Sequence, residues 1–140
     1  MRKKYRVMVD TTSLISGLVF HGVEHRLLKL AEDDKIKLVL PDYVVEETRR
    51  VLKKKFESKA SLFDEFLEIV KPEMIKKGKY ENLIEKHKKS INDPKDIPIL
   101  AVGIKANPDF FISGDKHFKT EKVKKLLNVA SSRHVLEKFE

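Results

Sequence analysis

The chain has 140 residues and a mass of 16.3 kDa, the size of one ordinary domain able to bury a core without metals or disulfides for support. It contains no cysteine, which excludes a disulfide framework, a thiolate zinc site and a cysteine nucleophile. Thirty Lys and Arg against twenty-two Asp and Glu give a formal charge of +8, which favours polyanionic partners, nucleic acid first, although a Lys/Glu-rich surface also suits thermostability.

In chain order, the positive start Met1-Arg2-Lys3-Lys4 leads into an apolar stretch that is broken at Asp10, unlike the core of a signal peptide. No stretch approaches the ~20 apolar residues of a membrane span, so a soluble cytoplasmic protein with no membrane partner is expected. Tyr5 to Val9 reads as a strand, and Leu14, Ile15, Leu18 and Val19 recur at helical spacing over Thr11 to Phe20. Gly22 breaks that helix, Leu27, Leu28, Leu30 and Ala31 mark a second, and Ile36 to Leu40 reads as a second strand. Pro41 and Asp42 start the next helix, with Asp42 a candidate N-cap and Val44, Val45, Val51 and Leu52 its apolar stripe. Leu62 to Val70 forms another helix, stopped by Pro72, and the Lys/Glu-rich segment Lys71 to Ser90 reads as an exposed helical excursion. Asp93-Pro94-Lys95-Asp96 opens a helix over Ile97 to Ala106, with an acidic cap and proline at its first position. Asp109 to Ser113 is a third strand, followed by a short helix through Lys125, a strand from Asn128 to Ser131 and a last helix from Arg133. The alternation predicts a single α/β domain over residues 1–140, a three-layer α/β/α sandwich on a central, mainly parallel sheet.

In such a sheet the ligand site lies outside the carboxyl ends of the strands. Asp10 follows the first strand, Asp115 closely follows the third, Glu47 lies about one turn into the helix leaving the second, and Asp96 begins a helix at the same edge. Four carboxylates gathered there repel one another, by about 3 kcal/mol for a pair ~5 Å apart at an effective dielectric near 20. A hard divalent cation with oxygen ligands compensates that repulsion, and in phosphodiester cleavage it activates water and neutralises charge on the phosphate.

At these residues the chain resembles the PIN-domain family, more narrowly the VapC-like toxins of prokaryotic toxin–antitoxin pairs. The resemblance runs through VMVDTTSLISGL, LPDYVVEETRRVL, NDPKDIPILAVGIKANPDFFISGDKHF and the closing strand and helix, nearly the whole chain. It implies a magnesium- or manganese-dependent ribonuclease, commonly a homodimer, with RNA as substrate and an antitoxin protein as partner. Residue by residue, Asp10 matches the first acid, Glu47 the helix acid, Asp96 the third and Asp115 the fourth, as catalytic and metal-holding groups. Asp93 is a weaker metal candidate, Ser113 takes the hydroxyl position two residues before the last acid, and Glu46 is an alternative to Glu47. Thr12 stands where such sequences often carry Asn.

Each acid also has an ordinary explanation, since Asp10, Asp42 and Asp93 can cap helices and Asp115 can sit in a turn. His21 and His25 fit the pattern H-x-x-E-H with Glu24, yet Gly22 breaks the helix between them and no third ligand is evident. They read as surface histidines, and His117 reads as a loop residue near Asp115 that can touch substrate or move a proton. Competing functions are an RNA-processing PIN nuclease, a non-catalytic PIN-like scaffold binding RNA or protein, and an aspartate-nucleophile phosphatase. Thr12 stands where the second acid of the phosphatase motif is needed.

Overall fold

The apolar runs pair as parallel strands in the computed structural model, which describes residues 4–90 and 93–140. The positive Met1–Lys3 start and Asn92 lie outside the described residues. The strands are β1 (Tyr5–Val9), β2 (Ile36–Pro41), β3 (Glu73–Ile75), β4 (Phe110–Ile112) and β5 (Val129–Ala130), all parallel, in the order β3-β2-β1-β4-β5. Val7, Met8, Val9, Leu38, Val39, Leu40, Phe111 and Ile112 are all buried. A central parallel strand is covered on both faces, so it reads as a continuous apolar run rather than an alternating one.

The helices are α1 (Thr11–Val19), α2 (Val23–Glu32), α3 (Asp42–Lys55), α4 (Ala60–Val70), α5 (Glu81–Lys86), α6 (Ile97–Ala106), α7 (Glu121–Lys124) and α8 (Ser132–Glu137). Contacts divide them, with α1, α2, α3, α4 and α8 packing among themselves while α5 pairs with α6. Right-handed crossovers require such a division, because connections running toward β3 and those returning toward β5 cover opposite faces. The three-layer α/β/α architecture expected from the sequence is therefore present. Gly17 sets the approach of α1 to α2: a Cβ there would lie 2.6 Å from Leu28 Cδ1 and 2.9 Å from the Glu24 carbonyl oxygen.

The segment Lys71 to Ser90 differs from the expected exposed helical excursion. Glu73–Ile75 is the edge strand beside β2, and only Glu81–Lys86 is α-helical. Tyr80 is buried, and its hydroxyl donates to Asp42 Oδ1 at 3.0 Å while the Lys77 N–H donates to Asp42 Oδ2 at 3.0 Å. Asp42 is accordingly the first residue of α3 rather than its cap, and its carboxylate binds the returning chain. Arg6 fastens the new edge from the other side, with Nη2 2.6 Å from Glu73 Oε2 and Nη1 donating to the Ala106 carbonyl at 2.7 Å, at the end of α6.

The chain moves outward from β1 through β2 to β3, then returns to the opposite side of β1 for β4 and β5. The reversal places a crevice between the carboxyl ends of β1 and β4, where open α/β sheets bind ligands.

Candidate metal centre

Asp10 is the residue after β1, and its carboxylate has two local partners. Oδ1 accepts the Ser13 N–H at 2.9 Å and so caps α1, while Oδ2 accepts the Ser113 hydroxyl at 2.6 Å. Capping and site membership are thus the same geometry, since extended backbone at Asp10 turns its side chain back across the crevice. Ser113, buried after β4, also accepts the Asp115 N–H at 3.1 Å. One hydroxyl ties the ends of β1 and β4 together.

Asp115 opens a 3-10 turn over Lys116–Lys119 and caps it by accepting the His117 N–H at 2.9 Å. That turn points the His117 ring back at the acids. Its Nδ1 lies 2.9 Å from Asp96 Oδ2 and 3.3 Å from Asp115 Oδ1. Asp96 ends the 3-10 turn Pro94–Asp96 that leads into α6, and Asp93 caps the same turn through the Lys95 N–H at 3.0 Å. Asp93, Asp96 and His117 each present one donor atom, all within 4.8 Å of one another. A continuous chain of hydrogen bonds therefore runs Asp10, Ser113, Asp115, His117, Asp96, with Asp93 beside its end.

Both members of the Asp96–His117 pair have raised pKa values. Burial pushes the Asp96 carboxyl up, the His117 hydrogen bond opposes this, and the charges of Asp115 and Asp93 add to the rise. The hydrogen bond to Asp96 raises the His117 imidazole, and the charges of Asp115, Asp96 and Asp93 reinforce it against partial desolvation. A simple ion pair lowers its acid, so the rise at Asp96 reports like charges and burial that one imidazole does not offset.

Glu47 lies on α3, half-buried, and is not among the donor atoms that Asp93, Asp96 and His117 bring together. Tyr43 stands one turn before it, and its phenol is pushed far up by burial, with Tyr80 next and then the charges of Glu47, Asp10 and Asp96. Tyr80, also raised by burial, feels Asp42, Glu46 and Glu81 instead. The adjacent glutamates differ in exposure, Glu47 being half-buried and Glu46 exposed; the charge of Glu47 bears on Tyr43 and that of Glu46 on Tyr80.

The donor set suits a hard divalent cation. It is mostly carboxylate oxygen, the carboxylates repel one another, and among the described residues the imidazole inserted between them, when protonated, is the one cation paired with them. Sequence reasoning missed the central place of His117, because that place depends on a tight turn that no spacing rule marks. The short separation from Asp115, the cap of that turn, was the available signal. The His21 and His25 rings lie 4.7 Å apart between centroids with their planes tilted by 47°, and His25 Nδ1 lies 3.0 Å from the Gly17 carbonyl oxygen, which engages that nitrogen.

Residues 6–117 match the sequence profile of the family described as PIN domain. A chain in the crystal structure of VapBC2 from Rickettsia felis bound to a DNA fragment from their promoter superposes with a TM-score of 0.63. The two are 18% identical, and the match covers 90% of this chain and 98% of that one, a likeness of fold. No curated protein sequence matches the chain significantly.

Proposed function

The chain belongs to the PIN-domain family, and from that premise we propose that it is a magnesium- or manganese-dependent endoribonuclease acting as the toxin of a toxin–antitoxin pair. The observation that carries the reading is the hydrogen-bonded chain from Asp10 through Ser113, Asp115 and His117 to Asp96, set where β1 and β4 part. Asp10, Asp96 and Asp115 would hold the cation with Glu47, and Asp93 would add a further carboxylate. The cation supplies charge neutralisation at the phosphate and a lowered pKa for the attacking water.

The protein's own groups do the remaining work. Ser113 holds the Asp10 carboxylate in register with the Asp115 backbone. His117 orients Asp96 through Nδ1, which leaves Nε2 for a phosphate oxygen or a proton at the leaving group. Lys95 and Lys116, interleaved with the acids and exposed, attract the RNA backbone without entering the carboxylate cluster. RNA as the polyanion follows from the +8 charge together with the family. An antitoxin partner is supported by the VapBC2 neighbour, and a homodimer by the family resemblance. Among the described residues no helix is long and apolar enough to cross a membrane.

Purified protein with Mg²⁺ or Mn²⁺ is expected to cleave single-stranded RNA. Asp10→Asn and Asp96→Asn are expected to reduce the rate at least about a thousandfold, the scale on which loss of preorganised charge stabilisation acts, while retaining the folded amide spectrum. Calorimetric titration of Mn²⁺ should show binding to the wild type and weakened binding to both variants. Equal cleavage by all three proteins would trace the activity to a contaminant and end the assignment.

A further inference from the structure

Beside the carboxylate chain lies a cavity of about 250 Å³, open at the carboxyl ends of β4 and β5. Two of its lining residues also hold Asp10: Ser13 through its N–H at 2.9 Å and Ser113 through its hydroxyl at 2.6 Å. A group seated there would therefore be next to any phosphodiester placed at Asp10. The rest of the lining combines opposites. Ile112 and Val129 supply apolar lining, and Glu24, Lys119 and Lys124 are its three charged lining residues. Ser132 also lines it, 5% exposed, and its hydroxyl is buried with no hydrogen-bond partner among the described residues. A buried hydroxyl left unpaired is costly and marks a position where a polar partner is missing.

The combination selects among ligands. Glu24 and the apolar lining disfavour a bare phosphate, while three charged groups disfavour an apolar chain. A flat heteroaromatic ring with donors and acceptors on its edge satisfies both. Among the RNA bases guanine alone presents two adjacent donors, N1–H and the N2 amine, that a carboxylate can accept together. It also presents O6 and N7 to an ammonium group. Single-stranded RNA is read by bases splayed out in this manner.

We infer that the cavity receives a guanine base of the RNA strand adjacent to the cleaved phosphodiester. Glu24 accepts from its N1–H and N2–H edge, and Lys119 or Lys124 donates to O6 or N7. The inference rests on the ribonuclease reading for its strand, but its ligand is testable without cleavage.

Guanosine, inosine and adenosine 5′-monophosphates are titrated into the full-length, metal-free protein, with amide resonances followed by NMR. Inosine lacks only the N2 amine. The expected result is displacement of the Gly114, Ala130 and Ser131 amides, with guanosine monophosphate binding about tenfold more tightly than the other two, the scale of one good base-edge contact. Glu24→Gln is expected to bring the three affinities together, and Lys124→Met to weaken guanosine monophosphate about tenfold, which keeps the test open if either variant fails to fold. Equal affinity for the three nucleotides, shifts confined to other parts of the protein, or a preference that survives Glu24→Gln each overturns the inference. Cleavage of oligonucleotides with guanosine or inosine beside the cut separates the two readings. Cleavage without guanine preference overturns the pocket and leaves the nuclease standing, whereas guanine binding without any cleavage supports the pocket and removes the nuclease.

Discussion

Ser113 and His117 join acids that come from separate elements. The Ser113 hydroxyl meets both Asp10 and the Asp115 N–H, and the His117 ring meets both Asp96 and Asp115. When protonated, His117 is the local counter-charge, and its pKa is raised above the ordinary 6.5 because Asp96 hydrogen-bonds the protonated form. The sign follows by linkage. A folded pKa above the unfolded value contributes stability that is complete below the unfolded pKa and is lost as pH rises through the folded one. Denaturant unfolding in EDTA should therefore show stability falling as pH rises from about 6.5, and Asp96→Asn should flatten that slope. NMR titration of His117 checks the same point, since an imidazole titrating at or below its ordinary value would remove the proposed coupling.

The acids were legible in the sequence for a residue-scale reason: each follows a strand or opens a helix at the one edge that a parallel sheet leaves for ligands. Asp10, Asp96 and Asp115 needed only correct strand assignments to be placed near one another, whereas Glu47, one turn into α3, is not joined to them by any hydrogen bond among the described residues. His117 was not legible in the same way, because its approach to Asp96 depends on the 3-10 turn that Asp115 caps. Glu46 and Glu47 were separable only by direction, since neighbours on a helix diverge by about 100°.

At the scale of elements, the long apolar runs announced β1, β2 and β4, whereas β3 is three residues long, half-exposed and set among lysines. No window statistic marks so short an edge strand. What secures it is tertiary: Arg6 bonded to Glu73 on one side and Asp42 bonded to Lys77 and Tyr80 on the other. Tyr80→Phe, which removes one hydrogen bond to a carboxylate, is expected to cost about 1–2 kcal/mol. Tyr80→Ala, which also empties a buried aromatic position, is expected to cost about 3–5 kcal/mol. Urea unfolding of the two variants measures both. A Tyr80→Ala change as small as that of Tyr80→Phe would show that the ring contributes no packing and that the segment is held by the Asp42 contact alone. Because Asp42 and Tyr43 lie on the helix that carries Glu47, loosening this clasp is also expected to disturb the site.

For the whole molecule, the charge of +8 and the acidic cluster are opposite demands, met by placement. Asp10, Asp93 and Asp96 are half-buried at the crevice and Asp115 is exposed at its rim, while Lys95 and Lys116 alternate with the acids in sequence and are exposed. A strand of RNA drawn to those lysines displaces condensed cations, so log K falls with log salt by about 0.7 per phosphate contact on single-stranded nucleic acid. In the Asp96→Asn background, where cleavage does not consume the ligand, RNA affinity should decline linearly on that plot. Replacing Lys95 and Lys116 together by Gln should then reduce the slope by about 1.4, two contacts' worth. Fluorescence anisotropy across a range of KCl concentrations gives both slopes. An unchanged slope would mean that the strand does not cross the carboxylate crevice between these lysines, and the general positive charge would no longer argue for RNA at this edge of the sheet.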